Sequence, residues 1–117
     1  MSSPLASAYL RLIQTIHRLE SQGPFQRLDA ESVRLLEIIT VAHVEGQPMT
    51  VSAAMKLSAI ASPASIHRKL ELLRIANLIT HQFNDGNRRT KYLAPTPLTF
   101  KHYDLLSAEM LSIKAND

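Results

Sequence analysis

The sequence has no cysteine and no tryptophan, only three glycines, and aromatic residues at 5% of its 117 positions. Without cysteine there is no disulfide, no thiolate metal cluster and no thiol nucleophile, which agrees with a reducing compartment. No apolar run approaches the roughly 18 residues that a membrane-spanning helix needs. The amino end has no basic segment ahead of a continuous apolar stretch, so no secretory leader is expected and the expected location is cytoplasmic. There is no phosphate loop and no Gly-x-Ser-x-Gly turn. The histidines His17, His43, His67, His81 and His102 are scattered, without the i, i+4 spacing of a metal-binding helix. No pair of carboxylates shares an expected buried face. The expectation is therefore a protein that is not an enzyme, with no catalytic residue, no metal ligand and no cofactor.

What is present fits a folded protein: 45% hydrophobic and 20% charged residues, enough for a single domain over 1–117 with its own core. The net charge of +3 is unevenly placed. Residues 67–91 carry six basic side chains (Arg68, Lys69, Arg74, Arg88, Arg89, Lys91) against two acidic ones (Glu71, Asp85), and the rest of the chain is close to neutral. Such a patch is the footprint expected for a polyanionic partner, and a solvated surface with chance clustering is the plain alternative.

The pattern along the chain is mainly α with a small β-hairpin. Ser3-Pro4 reads as a cap with proline in the first turn. Leu5, Tyr9, Leu12, Ile13, Ile16 and Leu19 then recur at helical spacing, predicting a helix over 4–22 that Gly23-Pro24 ends. Phe25 and Leu28 are expected to pack. Asp29 caps a second helix to about Val44, with Val33, Leu36, Ile39 and Ala42 inward and Leu35 and Ile38 widening the stripe; Gly46 and Pro48 terminate it. Met49 is expected to bridge to a small sheet. Thr50 caps a short helix over Val51–Leu57, with Ala54 and Leu57 inward. Ser62-Pro63 opens another, whose seam is Ile66, Leu70 and Leu73, and Asn77 must stop it in a left-handed conformation. Two strands follow, Leu78–Phe83 and Arg88–Leu93, around Asp85-Gly86, a two-residue hairpin signal. That turn would set Phe83 opposite Arg88 and Ile79 opposite Tyr92, with Gln82 on the face of Arg89 and Lys91. A last helix over 96–115 carries Leu98, Tyr103, Leu106, Met110 and Ile113.

Helix, bridge, helix, tight turn, helix and hairpin follow one another between two long amphipathic helices. The segments Met49–Ala54, Ser62–Leu73, Ala76–Ile79 and Asn87–Thr96, over roughly residues 29–103, resemble the winged helix-turn-helix of the multiple-antibiotic-resistance regulator (MarR) family. The resemblance implies a winged core at 29–94 and terminal helices that interlock in a homodimer. It also marks Arg88 and Arg89 as the arginine-bearing wing and Thr96 as the threonine opening the next helix.

The residues themselves agree with a DNA-binding reading. A helix fits the major groove and presents its first two turns to base edges and phosphates. Ala64 and Ser65 are small enough for close approach, and Arg68, one turn on, can reach a guanine edge or a phosphate. His67 and Lys69 flank it toward the backbone, with Thr50 and Ser62 as caps that also face phosphate. Arg88 or Arg89 suits a narrow minor groove, and Lys91 suits a phosphate. The expected dimer surface is Leu5, Tyr9, Leu12, Ile16, Tyr103, Leu106, Met110 and Ile113; the alternative is packing within one chain.

The expected function is sequence-specific binding of double-stranded DNA by a homodimeric transcriptional regulator. One rival is a winged helix whose basic face docks an acidic protein. Another is a DNA-binding protein of a mobile element, working in replication or partition. No specific small-molecule effector is expected, because the C-terminal helical region is short for the resembled family.

Overall fold

Every helix start that can be described is set by a short polar side chain ahead of it. The computed structural model describes residues 4–84 and 86–115, and of Pro4, Leu5, Asn84, Asn87 and Arg88 the backbone only. The expected cap Ser3, the turn residue Asp85, and the side chains of Leu5 and Arg88 lie outside the described residues. The elements in order are α1 (Pro4–Glu20), a 3-10 turn (Gly23–Arg27), α2 (Ala30–Val44), α3 (Val51–Ala54), α4 (Pro63–Ile75), β1 (Ile79–Asn84), β2 (Asn87–Pro95) and α5 (Pro97–Ala115). No helix among the described residues is long and apolar enough to cross a membrane. The chain divides into two compact units, residues 28–99 and residues 1–27 with 100–117.

In the unit 28–99, the Asp29 carboxylate accepts from Ser32 N at 2.7 Å, Thr50 Oγ1 from Ala53 N at 3.0 Å, and Ser62 Oγ from Ser65 N at 3.3 Å. Each satisfies a first-turn amide that the helix itself cannot. The inward stripe of α2 is Ser32, Leu35, Leu36, Ile39 and Thr40. It is turned from the expected one, with Val33 and Ile38 only half-buried. Gly46, at φ +78°, ends α2: its N–H donates to His43 O, and Gln47 N–H to Ala42 O.

α3 is one turn shorter than expected. Met55 and Lys56 form a turn, Leu57 is half-buried, and Ile60 fills the core position instead. In α4 the seam is as expected, with Ile66, Leu70 and Leu73 buried.

The end of α4 is pinned. Asn77 stands at φ +62°, and its N–H donates to Arg74 O while that of Leu78 donates to Leu73 O. Thr96 Oγ1 donates to Asn77 O at 2.7 Å, Thr99 Oγ1 to Leu78 O at 2.6 Å, and Thr96 N to Leu78 O at 3.1 Å. Thr96 Oγ1 also caps Thr99 N at 3.4 Å. The turn after α4, the base of the hairpin and the start of α5 therefore share one hydrogen-bond cluster.

The hairpin register differs from the expected one. Ile79 pairs with Pro95, His81 with Leu93, Gln82 with Tyr92 and Phe83 with Lys91, but Asn84 pairs with Asn87. An unbroken ladder would set Asn84 against Thr90, so the register slips by three residues, and 88–90 lie between two successive pairs. Two-residue spacing at Asn84–Asn87 survives, with Gly86 at φ +82°. The alternation expected farther along is reversed: Phe83, not Gln82, shares a face with Lys91. The bridge to this sheet is Thr50 with Tyr92, and Leu93 N donates to Met49 O at 2.8 Å.

In the other unit, the ring of His102 on α5 stacks on Phe25 of the 3-10 turn, centroids 3.8 Å apart and planes 16° from parallel. Both are buried. Arg18 of α1 meets Glu109 of α5 at 3.6 Å, an exposed pair worth little to stability. Of the apolar residues expected at a dimer surface, Tyr9 is 63% exposed and Met110 47%, while Leu12, Ile16, Tyr103, Leu106 and Ile113 are half-buried.

Two predictions come from these contacts. Thr96→Ala removes a cap and a buried hydrogen bond together, and should lower the urea unfolding free energy by about 1–3 kcal/mol. A change within about 0.5 kcal/mol would show that the cluster does not hold the α4 end. The second concerns His102, whose imidazole burial pushes below its ordinary value. Just below the unfolded value of about 6.5, the unfolded chain then binds a proton that the folded one refuses. Stability present above that value is lost as pH falls through it toward the folded value. His102→Gln should flatten this loss in melting midpoints taken from about pH 7.5 to about pH 5. Equal slopes in both proteins would place the acid sensitivity elsewhere.

Candidate nucleic-acid interface

The first turns of α4 carry small and basic groups on the side away from its seam. Ser62, Ala64, His67 and Arg68 are exposed and Ser65 half-buried, while Ile66 beneath them is sealed. Pro63 and the Ser62 cap fix where this face begins. Arg68 is held as well as exposed: its Nη2 donates to Ser65 Oγ at 2.8 Å. Ser62, Ser65 and Arg68 stand at three-residue steps, so one edge of the helix start presents a hydroxyl, a second hydroxyl and a guanidinium in line. Neighbours at i, i+3 lie on one helix face, and this is the geometry that lets them interact.

The hairpin brings the second set of groups. Along one face of the sheet run Ile79 with Pro95, then His81 with Leu93, then Phe83 with Lys91. Ile79, Pro95 and Leu93 are buried and Phe83 is exposed, so this face leaves the core partway along the strands. His81 stands at that transition. With Arg89, Thr90 and Lys91 it forms the wing side of an open cleft of about 450 Å³, whose other walls are Thr50, Val51 and Ser52 at the start of α3 and His67 of α4. Among the described residues, no carboxylate lines this cleft.

Six of the ten expected DNA contacts are placed on this surface: Ser62, Ala64, Ser65 and Arg68 on the helix face, and Arg89 and Lys91 on the wing. His67 and Thr50 face the cleft itself. Arg88 contributes its backbone to β2, and its side chain is outside the described residues.

Lys69 sits differently. Its ammonium lies 2.8 Å from Asp29 and 3.4 Å from Glu31, and its side chain is only 12% exposed. The Lys69 hydrogen bond in turn holds the Asp29 carboxyl below the usual carboxylate range, and Asp29 is the strongest cause keeping the Lys69 ammonium charged. A cation answered by two carboxylates ties α4 to the start of α2 and has little left for a phosphate. Arg74 is likewise answered by Glu71, at 2.9 and 3.0 Å. That hydrogen bond is the first cause of the lowered Glu71 carboxyl, with smaller help from the charges of Arg74, His67 and His81.

Four cleft residues were not anticipated as contacts: Val51, Ser52, His81 and Thr90. Ser52 follows a cap that was expected, so its position was available from the sequence. His81 depends on the true hairpin register, which was not. Among the described residues, no group of three His, Asp or Glu side chains could hold a metal ion.

No protein-family model matches the sequence, and no curated protein matches it. Solved structures do. RV1404 from Mycobacterium tuberculosis aligns over 96% of this chain and 71% of its own, at a TM-score of 0.64 and 17% identity. FabT of Streptococcus pneumoniae, solved in complex with DNA, aligns over 97% of this chain and 78% of its own, at 0.57 and 18%. AbsC, a MarR family transcriptional regulator from Streptomyces coelicolor, aligns over 92% and 71%, at 0.53 and 16%. Mainly helical, with a two-stranded antiparallel wing behind its fourth helix, this chain has a MarR-like winged helix-turn-helix fold.

Proposed function

We propose that this protein binds double-stranded DNA sequence-specifically as a homodimeric transcriptional regulator, using α4 in the major groove and the hairpin along the flanking backbone. The observation that carries the reading is the shared surface itself. His67 of α4, the start of α3 and the basic wing border one cleft that no carboxylate among the described residues lines. A likeness in fold to a protein solved on DNA, FabT, supports it.

The roles follow from position. Arg68, steadied by Ser65, reads a base edge, where a guanidinium can bond guanine O6 and N7 together. Ala64 offers a methyl to a thymine, and Ser62 and Thr50 face phosphates. Arg89 enters the minor groove and Lys91 meets the backbone. Lys69 serves the fold. Dimerisation falls to the terminal helices, whose Tyr9, Leu10, Leu105, Met110 and Leu111 are each about half exposed or more. These are large apolar groups that a second copy would cover, and two-fold symmetry would set two α4 helices about 34 Å apart on a palindrome.

Two experiments test this. Arg68→Ala should weaken binding to a selected site by about 1–3 kcal/mol while random duplex is bound nearly as before. Equal losses on both would make Arg68 a phosphate contact. Selection from a random duplex pool should return a palindrome, with affinity for it falling steeply with salt, a log–log slope of about −0.9 per phosphate neutralised. Absence of any binding to duplex at low salt would favour the protein-docking reading of the same basic face.

A further inference from the structure

The cleft between α3, α4 and the wing contains two imidazoles that reading individual contacts does not use. His67 comes from the second turn of α4 and His81 from the middle of β1, fourteen residues later in the chain, and both line the same opening with Arg89 and Lys91. Thr50, Ser52 and Thr90 add hydroxyl groups to its wall. Its lining is therefore donor-rich and, among the described residues, without an anionic side chain, although the Glu71 carboxylate on α4 acts on both rings from beside it; such a composition suits a phosphate oxyanion. Imidazole is the side chain whose charge ordinarily changes between about pH 5 and pH 8.

We propose that this cleft is a phosphate site in which His67 and His81 take up protons as the anion enters, so that DNA affinity is coupled to pH. The inference rests on the DNA-binding reading, and it names the DNA backbone as the source of the phosphate because the cleft's α4 wall, His67, belongs to the helix read as entering the groove and its other side is the basic wing.

The physical sequence is short. A phosphate oxygen brought beside the two rings favours their charged forms, since an opposite charge within a few ångströms stabilises ionisation. The complex then holds more protons than the free protein, and affinity rises as pH falls. The other charged groups around the cleft do not mimic this. Arg89 and Lys91 on β2 are the basic side chains of the wing wall. On α4, Glu71 lies one turn beyond His67 and is bound to Arg74, with its carboxyl already held low. α3 contributes only Thr50, Val51 and Ser52. Tyr92 on β2 is bridged to Thr50.

The test is the dissociation constant for a fixed duplex, measured by fluorescence anisotropy at constant ionic strength from about pH 8 to about pH 6, with circular dichroism at each pH to confirm the fold. Wild type should bind about tenfold more tightly at the acid end. The double variant His67→Gln, His81→Gln should show less than about a twofold change across the range, whatever its affinity at pH 8. Each single variant should keep part of the slope, and His67, being exposed, can be replaced with little risk to the core. An unchanged slope in the double variant would overturn the proposal.

Inorganic phosphate alone provides a second arm, followed by the ring-proton resonances of the two histidines. Saturable movement of both His67 and His81 supports the site even where no duplex binds, a result that would sink the DNA-binding reading but leave the anion site standing. Movement of neither resonance, with phosphate or with duplex, overturns the site. Movement with duplex only assigns the phosphate to the DNA backbone and supports the proposal as stated.

Discussion

The hydrogen-bond cluster at Asn77, Leu78, Thr96 and Thr99, buried except at Asn77, is the constraint on which the winged unit depends. A helix and a hairpin that follow one another can meet at many angles. Here the angle is fixed, because the left-handed turn at Asn77 releases two carbonyls, those of Asn77 and Leu78, and both are taken by threonines at the far end of the hairpin. The helix end, the sheet base and the next helix start thereby satisfy one another, as buried backbone groups must. With α4 locked relative to the strands, His67 on one and His81 on the other come to face the same opening. Neither could line the cleft reliably if the junction were loose.

The second constraint is the slip in the hairpin. Had the ladder run unbroken from the Asp-Gly turn, Gln82 would have shared a face with Arg89 and Lys91, and His81 and Phe83 would have lain on the other side. Slipping by three residues, an odd number, reverses which residues share a face, because side chains alternate with period two. The slip does two things at once. It puts His81 on the side that becomes the cleft, and it places residues 88–90, the arginine-bearing segment, between the last regular pair and the tip. A bulge of this kind strengthens twist and re-aims side chains, and such irregularities are common beside functional sites.

Much of this was legible in the sequence, for reasons that are local. Asp29, Thr50 and Ser62 cap because a short oxygen-bearing side chain before an apolar-periodic run has one natural use. Asn77 could be read as left-handed because the helix had to stop there and Asn tolerates the conformation. The α4 seam followed from spacing alone. What failed was what depends on distant residues. Whether Leu57 or Ile60 fills the core after α3 is decided by how the turn packs. Hairpin register is decided by what the Met49–Thr50 segment and the Leu93 region require of one another, not by the turn dipeptide. Lys69 looked like part of a basic face because its partners, Asp29 and Glu31, lie forty and thirty-eight residues earlier in the numbering.

That last case also changes how the charge pattern should be understood. Counted along the chain, residues 67–91 hold six basic groups against two acidic ones. Counted in space, Lys69 is answered from α2 and Arg74 by its own helix neighbour Glu71. Both of these answered cations lie on α4. The cationic character of the surface consequently shifts toward Arg68 at one edge and the wing at the other, with the two imidazoles between them. A surface built this way has modest permanent charge on the helix and a titratable centre. Its attraction for a polyanion is then set less by the number of lysines and arginines in the sequence than by which of them the fold leaves facing the cleft, and by the protonation of His67 and His81 beside them.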